Sequence, residues 1–88
     1  MCLDDVIFID SFPTLDLHGF DRESSRVLVN DFINDNRKMK NDIVVIIHGI
    51  GSGVVRKIVN ETLKRNKNVL EYKSFYNNLG ATIVKIIL

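Results

Sequence analysis

The side chains best suited to acid–base chemistry in this sequence are two histidines, His18 and His48, each followed at once by glycine. Asp16 stands two residues before His18 in the segment LDLHG. In an extended segment such residues point to the same side, about 6.6 Å apart, and a neighbouring carboxylate can fix the tautomer of an imidazole and raise its basicity. The spacing predicts an acid–base centre. In the alternative interpretation, Asp16 caps the following turn and His18 binds a loop carbonyl.

A second candidate site is the segment HGIGSG, residues 48–53. Glycines at alternate positions leave backbone amides uncovered beside a predicted helix N-terminus, which favours phosphate. The spacing fits neither a Walker loop, nor a serine elbow, nor a dinucleotide fingerprint. A purely geometric role for the glycines is the alternative. The predicted nucleic-acid-binding residues are Gly49, Gly51, Ser52, Gly53, Arg56 and Lys57.

Hydrophobic periodicity predicts the elements that position these residues. The first half of the chain is predicted to form a strand over Leu15–His18, a helix from its N-cap Asp21 to about Met39, and a strand over Asp42–Ile47. A second helix follows from Val54 to Asn66 or Asn68. The last two strands, Val69–Tyr76 and Ala81–Leu88, are joined by a tight reversal over residues 77–80. We expect both helices on one face of the sheet, with the other face shared between solvent and the N-terminal segment. Ligands of open α/β sheets collect at the carboxyl ends of parallel strands, where Asp16 and both histidines lie.

The 88 residues suffice for one small domain. We place it at residues 13–88, with residues 1–12 as an N-terminal extension or edge strand limited by Pro13. The apolar runs 6–9 and 43–47 are far shorter than the roughly 20 residues of a membrane span, so we expect a cytoplasmic protein without a membrane partner. Cys2 is the single cysteine, so no internal disulfide is possible, and with two histidines it cannot complete a closed zinc site.

Charge is distributed unevenly along the chain. Residues 1–36 carry eight acidic and two basic side chains, a balance of −6, whereas residues 37–88 carry ten basic and three acidic ones, a balance of +7. A basic half can attract a polyanion such as nucleic acid. The alternative is that the basic residues close two helices, where cations are favoured by the helix dipole.

Three motifs taken together resemble the small MutS-related (Smr) domain family. They are LDLHG at residues 15–19, HGIGSG at residues 48–53 followed by a basic helix, and GATIVKI at residues 80–86. The resemblance covers residues 14–88. It implies a two-layer β-α-β-α-β-β sandwich of the α/β class, with a mixed four-stranded sheet in the order 1-2-4-3 and an antiparallel fourth strand. It also implies similarity to the C-terminal domain of a bacterial translation initiation factor.

The same resemblance implies nucleic-acid binding, with nicking of DNA or cleavage of RNA in several members, and roles in DNA repair or recombination or at stalled ribosomes. Asp16 and His18 match the catalytic motif of the family, and the glycines of residues 48–53 match its phosphate-facing turn. The family commonly has Lys where this chain has Ile50. This difference weakens phosphate contact unless Arg56 and Lys57 compensate.

The leading hypothesis is an endonuclease in which His18, oriented by Asp16, is the general base on a water or an RNA 2′-OH, and His48 protonates the leaving oxygen or stabilises phosphate charge. Cleavage of RNA needs no metal, whereas nicking of DNA calls for a divalent ion such as Mg²⁺ or Mn²⁺, with Asp16 as a ligand. The expected partners are RNA or DNA and the ribosome, and the expected state is a monomer or weak dimer. The alternatives are a non-catalytic nucleic-acid- or ribosome-binding module and a protein-binding adapter.

Overall fold

Two helices and a four-stranded sheet form the two-layer α/β sandwich expected from the sequence. The computed structural model describes residues 12–49, 53–75 and 78–88. Its elements are β1 (Thr14–Asp16), α1 (Arg22–Lys38), β2 (Ile43–Ile47), α2 (Val54–Arg65), β3 (Val69–Phe75) and β4 (Asn78–Ile86). The strand order is β1-β2-β4-β3; β1 is parallel to β2, and β4 is antiparallel to β2 and β3. The mixed sheet and its strand order are therefore confirmed.

The first strand is shorter than predicted. β1 ends at Asp16, and His18 lies in a turn in which the backbone N–H of Phe20 donates to the carbonyl of Leu17 at 3.1 Å. The prediction that the strand continues through His18 is wrong. Asp16 binds the backbone of this turn and Gly19 takes a positive φ of 84°, and both features favour a turn over an extended chain.

The last strand begins earlier in the chain than predicted. β4 begins at Asn78, so three of the residues assigned to the reversal, 78–80, belong to the strand. Asn and Gly are typical of turns, but here the pairing with β3 extends to Phe75 opposite Asn78, with an irregularity in register between Ser74 and Phe75. Tertiary pairing has overridden the local turn preference.

Helix α1 begins where the sequence predicts. The Asp21 carboxylate accepts a hydrogen bond from the backbone N–H of Ser24 at 2.8 Å, which satisfies one of the unpaired donors of the first turn. The same bond holds the pKa of Asp21 below its usual range. Buried residues then recur at spacings of three and four and turn one stripe of the helix toward the sheet; they are Ser25, Val29, Ile33 and Asn36.

Both helices cover one face of the sheet, as predicted, and the main core lies between the two layers. It consists of Leu17, Val29, Ile33, Val44, Ile46, Val59, Leu63, Val84 and Ile86, each at most 2% exposed. Alternate residues of β2 and β4 enter this core because side chains along a strand point to opposite faces in turn. The continuous apolar sequence of β2 is thereby explained, since on the outer face Ile43 and Val45 are buried and Ile47 is half-buried.

A smaller apolar cluster lies on the face of the sheet away from the helices. It contains Ile43, Val45, Ala81 and Ile83, with Phe12 and Ile47 packed against it. Phe12 thus brings the end of the N-terminal segment onto this face, in agreement with the prediction. Cys2 and the rest of residues 1–11, most of the predicted N-terminal extension or edge strand, lie outside the described residues, and the domain boundary at residue 13 stays a prediction. Neither described helix is long and apolar enough to cross a membrane.

Candidate functional site

The two histidine–glycine pairs leave adjacent parallel strands side by side. The backbone N–H of Leu17 donates to the carbonyl of Ile47 at 2.8 Å, and each of these residues immediately precedes a histidine. Each following glycine has a positive φ, 84° at Gly19 and 78° at Gly49, which side-chain-bearing residues rarely adopt. The structure therefore brings the two sequence-predicted segments to one edge of the sheet, where the carboxyl ends of β1 and β2 meet.

Asp16 acts on the backbone of the first turn. Its Oδ1 atom accepts a hydrogen bond from the backbone N–H of His18 at 2.8 Å. This is the turn-capping arrangement that the sequence left open as the alternative for Asp16. Asp16 and His18 are both exposed, and the His18 ring makes no hydrogen bond within the described part of the chain. The imidazole of His18 is therefore open to a ligand, on a turn that Asp16 holds in shape.

His48, in contrast, is 7% exposed and uses both ring nitrogens. Nδ1 lies 3.0 Å from the carbonyl oxygen of Gly49, and Nε2 lies 2.9 Å from Oγ1 of Thr82. Because a carbonyl oxygen can only accept, we assign the proton to Nδ1, and Nε2 then accepts from the Thr82 hydroxyl. Burial lowers the pKa of His48, and the positive charge of Arg56 lowers it further, against the opposing effect of the bond to Gly49. The ring is therefore held neutral.

The side chains of Asp16 and His48 point to opposite faces of the sheet. Asp16 is the register partner of Ile47, which packs against the cluster on the outer face. His48 is the next residue after Ile47 and contacts Thr82, whose register partner Ile46 belongs to the core beneath the helices. Strand alternation thus separates the two side chains even though their backbones are neighbours. Of the two predicted catalytic histidines, His18 is the one whose ring is exposed and makes no hydrogen bond to the residues that the structure describes.

The start of α2 provides the second part of the candidate site. Gly53 is the N-cap residue, with a φ of 81° and no side-chain cap, and the helix N-terminus leaves backbone N–H groups for an anion. Arg56 and Lys57 are both exposed, and Nη2 of Arg56 donates to Oγ of Ser74 at 3.1 Å. The predicted residues Gly51 and Ser52, like Ile50, lie outside the described residues. Their phosphate contact stays a prediction.

Two polar residues that were not predicted from the sequence, Ser74 and Thr82, connect the parts of this site through hydrogen bonds. Thr82 binds His48 and stands opposite Ser74 in the register of β4 and β3, and Ser74 in turn binds Arg56. We call these four residues, Arg56, Ser74, Thr82 and His48, the polar row. The available signal was a threonine inside the apolar segment GATIVKI, because a buried hydroxyl needs a partner.

A metal site is not evident from the residues that the structure describes. Among them, no group of three or more His, Cys, Asp or Glu side chains could hold a metal ion. The exposed carboxylate of Asp16 at this edge already has one oxygen bound to the turn. The described side chains therefore do not form a preassembled metal site around Asp16.

Comparison with known proteins agrees with the fold and the motifs. The chain is 38% identical over 73 residues, 83% of its length, to "Endonuclease MutS2" of Helicobacter pylori. It is 36% identical over 75 residues, 82% of its length, to "Endonuclease MutS2" of Clostridium botulinum. In both cases it spans about 10% of the relative's length.

Solved structures give the same result. The Smr domain of Thermus thermophilus MutS2 superposes with a TM-score of 0.83 at 23% identity, covering 86% of this chain and 99% of that one. YdaL, a stand-alone small MutS-related protein from Escherichia coli, superposes with a TM-score of 0.79 at 26% identity, covering 85% of this chain and 64% of that one. The model of the Smr domain family matches residues 15–87. The chain therefore belongs to the Smr domain family.

Proposed function

We propose that this Smr domain binds RNA or DNA and cleaves it as an endonuclease, with the turn after β1 as its reactive edge. The observation that carries the proposal is the exposed ring of His18, which makes no hydrogen bond to residues 12–49, 53–75 or 78–88 and lies on a turn capped by Asp16 and adjacent to the Gly49 turn. Relatives that share this domain are named endonucleases, which supports the same activity.

The phosphate backbone of the substrate would be held at the start of α2. The helix N-terminus would offer backbone N–H groups, and Arg56 and Lys57 add two positive charges. The N–H of Gly49 already donates to the carbonyl of Gly80 at 3.0 Å, so it is not available to a phosphate. Ser74 restrains the Arg56 side chain through its hydrogen bond, so less conformational entropy is lost when the guanidinium meets a phosphate. Lys57 is exposed on the same turn of the helix and supplies charge without a fixed geometry.

Cleavage of RNA would begin with a general base that lies beside a 2′-OH. The His18 imidazole accepts the proton of the hydroxyl, the 2′ oxygen attacks the adjacent phosphorus, and the bond to the 5′ oxygen breaks. The products are a 2′,3′-cyclic phosphate and a 5′-hydroxyl end; the leaving oxygen takes a proton from solvent water, and His18 returns its proton to solvent. Asp16 contributes by holding the turn that carries His18, through the backbone and not through the ring.

The hydrogen bonds of His48 argue against the role in proton transfer that the sequence suggests for it. To protonate a leaving oxygen, as expected from the sequence, the ring would have to release its bond to Thr82 or Gly49. We propose instead that His48 is a positioning residue, which fixes the Gly49 turn through a neutral ring. Nicking of DNA, which lacks the 2′-OH, would need a hydrolytic water and a divalent ion. Asp16 is the residue that would hold such an ion, and the ion would supply an activated water.

The proposal is tested by incubating labelled single-stranded RNA and supercoiled DNA with the wild-type protein, with Mg²⁺ or Mn²⁺ and with EDTA. We expect cleavage by the wild type to be lost in His18→Ala and reduced in Asp16→Ala. Asp31→Ala removes an exposed carboxylate from α1 and should cleave like the wild type. Equal cleavage by wild type and His18→Ala would overturn the catalytic role of His18. RNA with a 2′-deoxy nucleotide at the cleavage position should resist cleavage.

A non-catalytic nucleic-acid- or ribosome-binding module is the second candidate. The observation in its favour is that Asp16 and His48 both serve the backbone turns and not a shared reaction centre. This module would show salt-sensitive binding that is weakened by Arg56→Ala, and no cleavage with any of the substrates and ions above. The ribosome as partner, the cytoplasmic location, the oligomeric state and the likeness to an initiation factor domain stay predictions.

A further inference from the structure

An exposed apolar surface lies beside the turn that carries His18. Phe20 is 47% exposed, and Val27, two turns along α1, is 58% exposed. Together with Glu23, Ser24 and Leu28 they line a shallow depression of about 420 Å³, which we call the Phe20 surface. Contiguous exposed apolar side chains are more often sites of interaction than isolated ones.

The Phe20 ring sits on a well-anchored part of the backbone. The N–H of Phe20 donates to the carbonyl of Leu17 at 3.1 Å, and Leu17 is 1% exposed in the main core. The next residue, Asp21, caps α1 through its bond to Ser24. The ring is therefore an exposed aromatic group on a fixed support, two residues from His18, and little ordering is required before it meets a ligand.

The charges near this surface disfavour a phosphate there. Asp16, Asp21 and Glu23 are all exposed, and the salt bridge of 3.2 Å between Glu23 and Arg26 neutralises one of these carboxylates. On this side of His18 a nucleic acid meets carboxylates and an aromatic ring, whereas Arg56 at the start of α2 contacts Ser74 on β3, the strand at the opposite edge of the sheet from β1. The group of a nucleotide that suits an aromatic ring beside carboxylates is the base, which carries no charge.

We infer that Phe20 is a stacking platform for an unpaired base, so that the domain engages single-stranded segments of its substrate. This inference rests on the proposed function, and it adds a specificity residue and a substrate class to that function. Aromatic side chains bind single strands in this way because every base has a π face, whereas the bases of a duplex already stack on one another. Val27 extends the apolar area beside the ring.

The chain has no tryptophan, so Phe20→Trp creates a single fluorescent reporter. In the proposed test, the tryptophan emission of this variant is followed during titration with a single-stranded oligonucleotide, with a duplex of the same sequence and with a single strand that carries abasic sites. Stacking predicts that the single strand with intact bases quenches the emission, and that the duplex and the abasic strand do not. Met39→Trp is the matched control, since residue 39 is 62% exposed at the other end of α1 and should report no quenching.

Affinity measurements provide the second test. Phe20→Ala and Phe20→Leu should each weaken binding of the intact single strand by about 5- to 150-fold, because both remove the aromatic face, and Phe20→Tyr should restore it. Leu70→Ala removes an apolar side chain that is 58% exposed on β3 and should bind like the wild type. Phe20 is exposed, so these variants should fold.

The outcomes separate this inference from the function on which it rests. If the wild type binds neither RNA nor DNA, the proposed function fails and the inference fails with it. If the wild type binds with salt sensitivity, but abasic and intact strands bind alike or Phe20→Ala has no effect, the stacking role is overturned and the proposed function stands. Equal quenching of Phe20→Trp by the duplex would overturn the preference for single strands.

Discussion

The Nε2 atom of His48 lies 2.9 Å from the hydroxyl oxygen of Thr82, a residue 34 positions later in the chain. This contact joins the end of β2 to the middle of β4 and closes the polar row beneath the start of α2. The sequence predicts a catalytic role for His48, but its buried ring bonds to Thr82 and Gly49, and these contacts fit a role in stabilising the Gly49 turn.

Thr82→Val should destabilise the domain by about 1–3 kcal/mol, because Nε2 of His48 loses its donor in a buried environment. The substitution keeps the shape of the side chain, so the change reflects the hydrogen bond and not a cavity. The measurement is urea unfolding followed by circular dichroism. Thr14→Val is the control, because that hydroxyl binds the Phe12 carbonyl at an exposed position and should matter less. Equal losses in the two variants would contradict a special role for Thr82.

Stability should fall as the pH drops below about 6.5, the ordinary pKa of histidine. Burial lowers the pKa of His48 in the folded protein, so between the folded and unfolded values the unfolded chain binds more protons and unfolding is favoured. Above the unfolded value both states are neutral and this contribution is constant. Thermal unfolding from about pH 7.5 to about pH 5.5 should show the effect.

His48→Gln should remove much of this pH dependence, because glutamine does not titrate. Thr14→Val is the control, because neither side chain titrates and the variant should keep the pH dependence of the wild type. An unchanged pH profile in His48→Gln would mean that other groups cause the loss of stability.

Gly53→Ala should cost about 1–2 kcal/mol of stability, because a residue with a side chain is strained in the left-handed region. Apart from Gly53 itself, its chain neighbours and the backbone of the helix, no atom of the described residues lies within 4 Å of the position that a Cβ would take at Gly53, so the cost comes from the backbone φ of 81°. Gly53→Asn should cost less, since asparagine tolerates this region. The comparison is made by urea unfolding, and equal costs for Ala and Asn would argue against backbone strain.

Lys57→Ala should weaken nucleic-acid binding and reduce the slope of log K against log salt by about 1, the value for one lost phosphate contact. Lys64→Ala is a closely matched control, because both lysines are exposed in α2 and lie seven residues apart on the same side of the helix. Lys64 belongs to the last turn, away from the proposed site. Fluorescence anisotropy between about 50 and 200 mM salt measures both slopes. Equal slopes would place the phosphate elsewhere.

The sequence was sufficient where local physics decides the outcome. The buried stripe of α1 and its cap at Asp21 follow from helical spacing and from a side chain that can satisfy a free N–H group. The continuous β-branched run of β2 indicates a strand buried on both faces. The positions of the glycines after His18 and His48 likewise predict the two turns, since positive φ is a local property of the chain.

Other features depend on partners that are distant in the chain. The sequence alone left Asp16 with two interpretations, and the structure shows its carboxylate on the backbone of the turn. It could not show that Asp16 and His48 face opposite sides of the sheet, because this depends on the register of β1 against β2. Nor could it pair His48 with Thr82, which requires β4 to lie beside β2. Residue types and spacing determined the elements and the candidate segments, and tertiary pairing decided which side chain stays exposed, because burial and hydrogen bonding depend on neighbours that only the folded chain supplies.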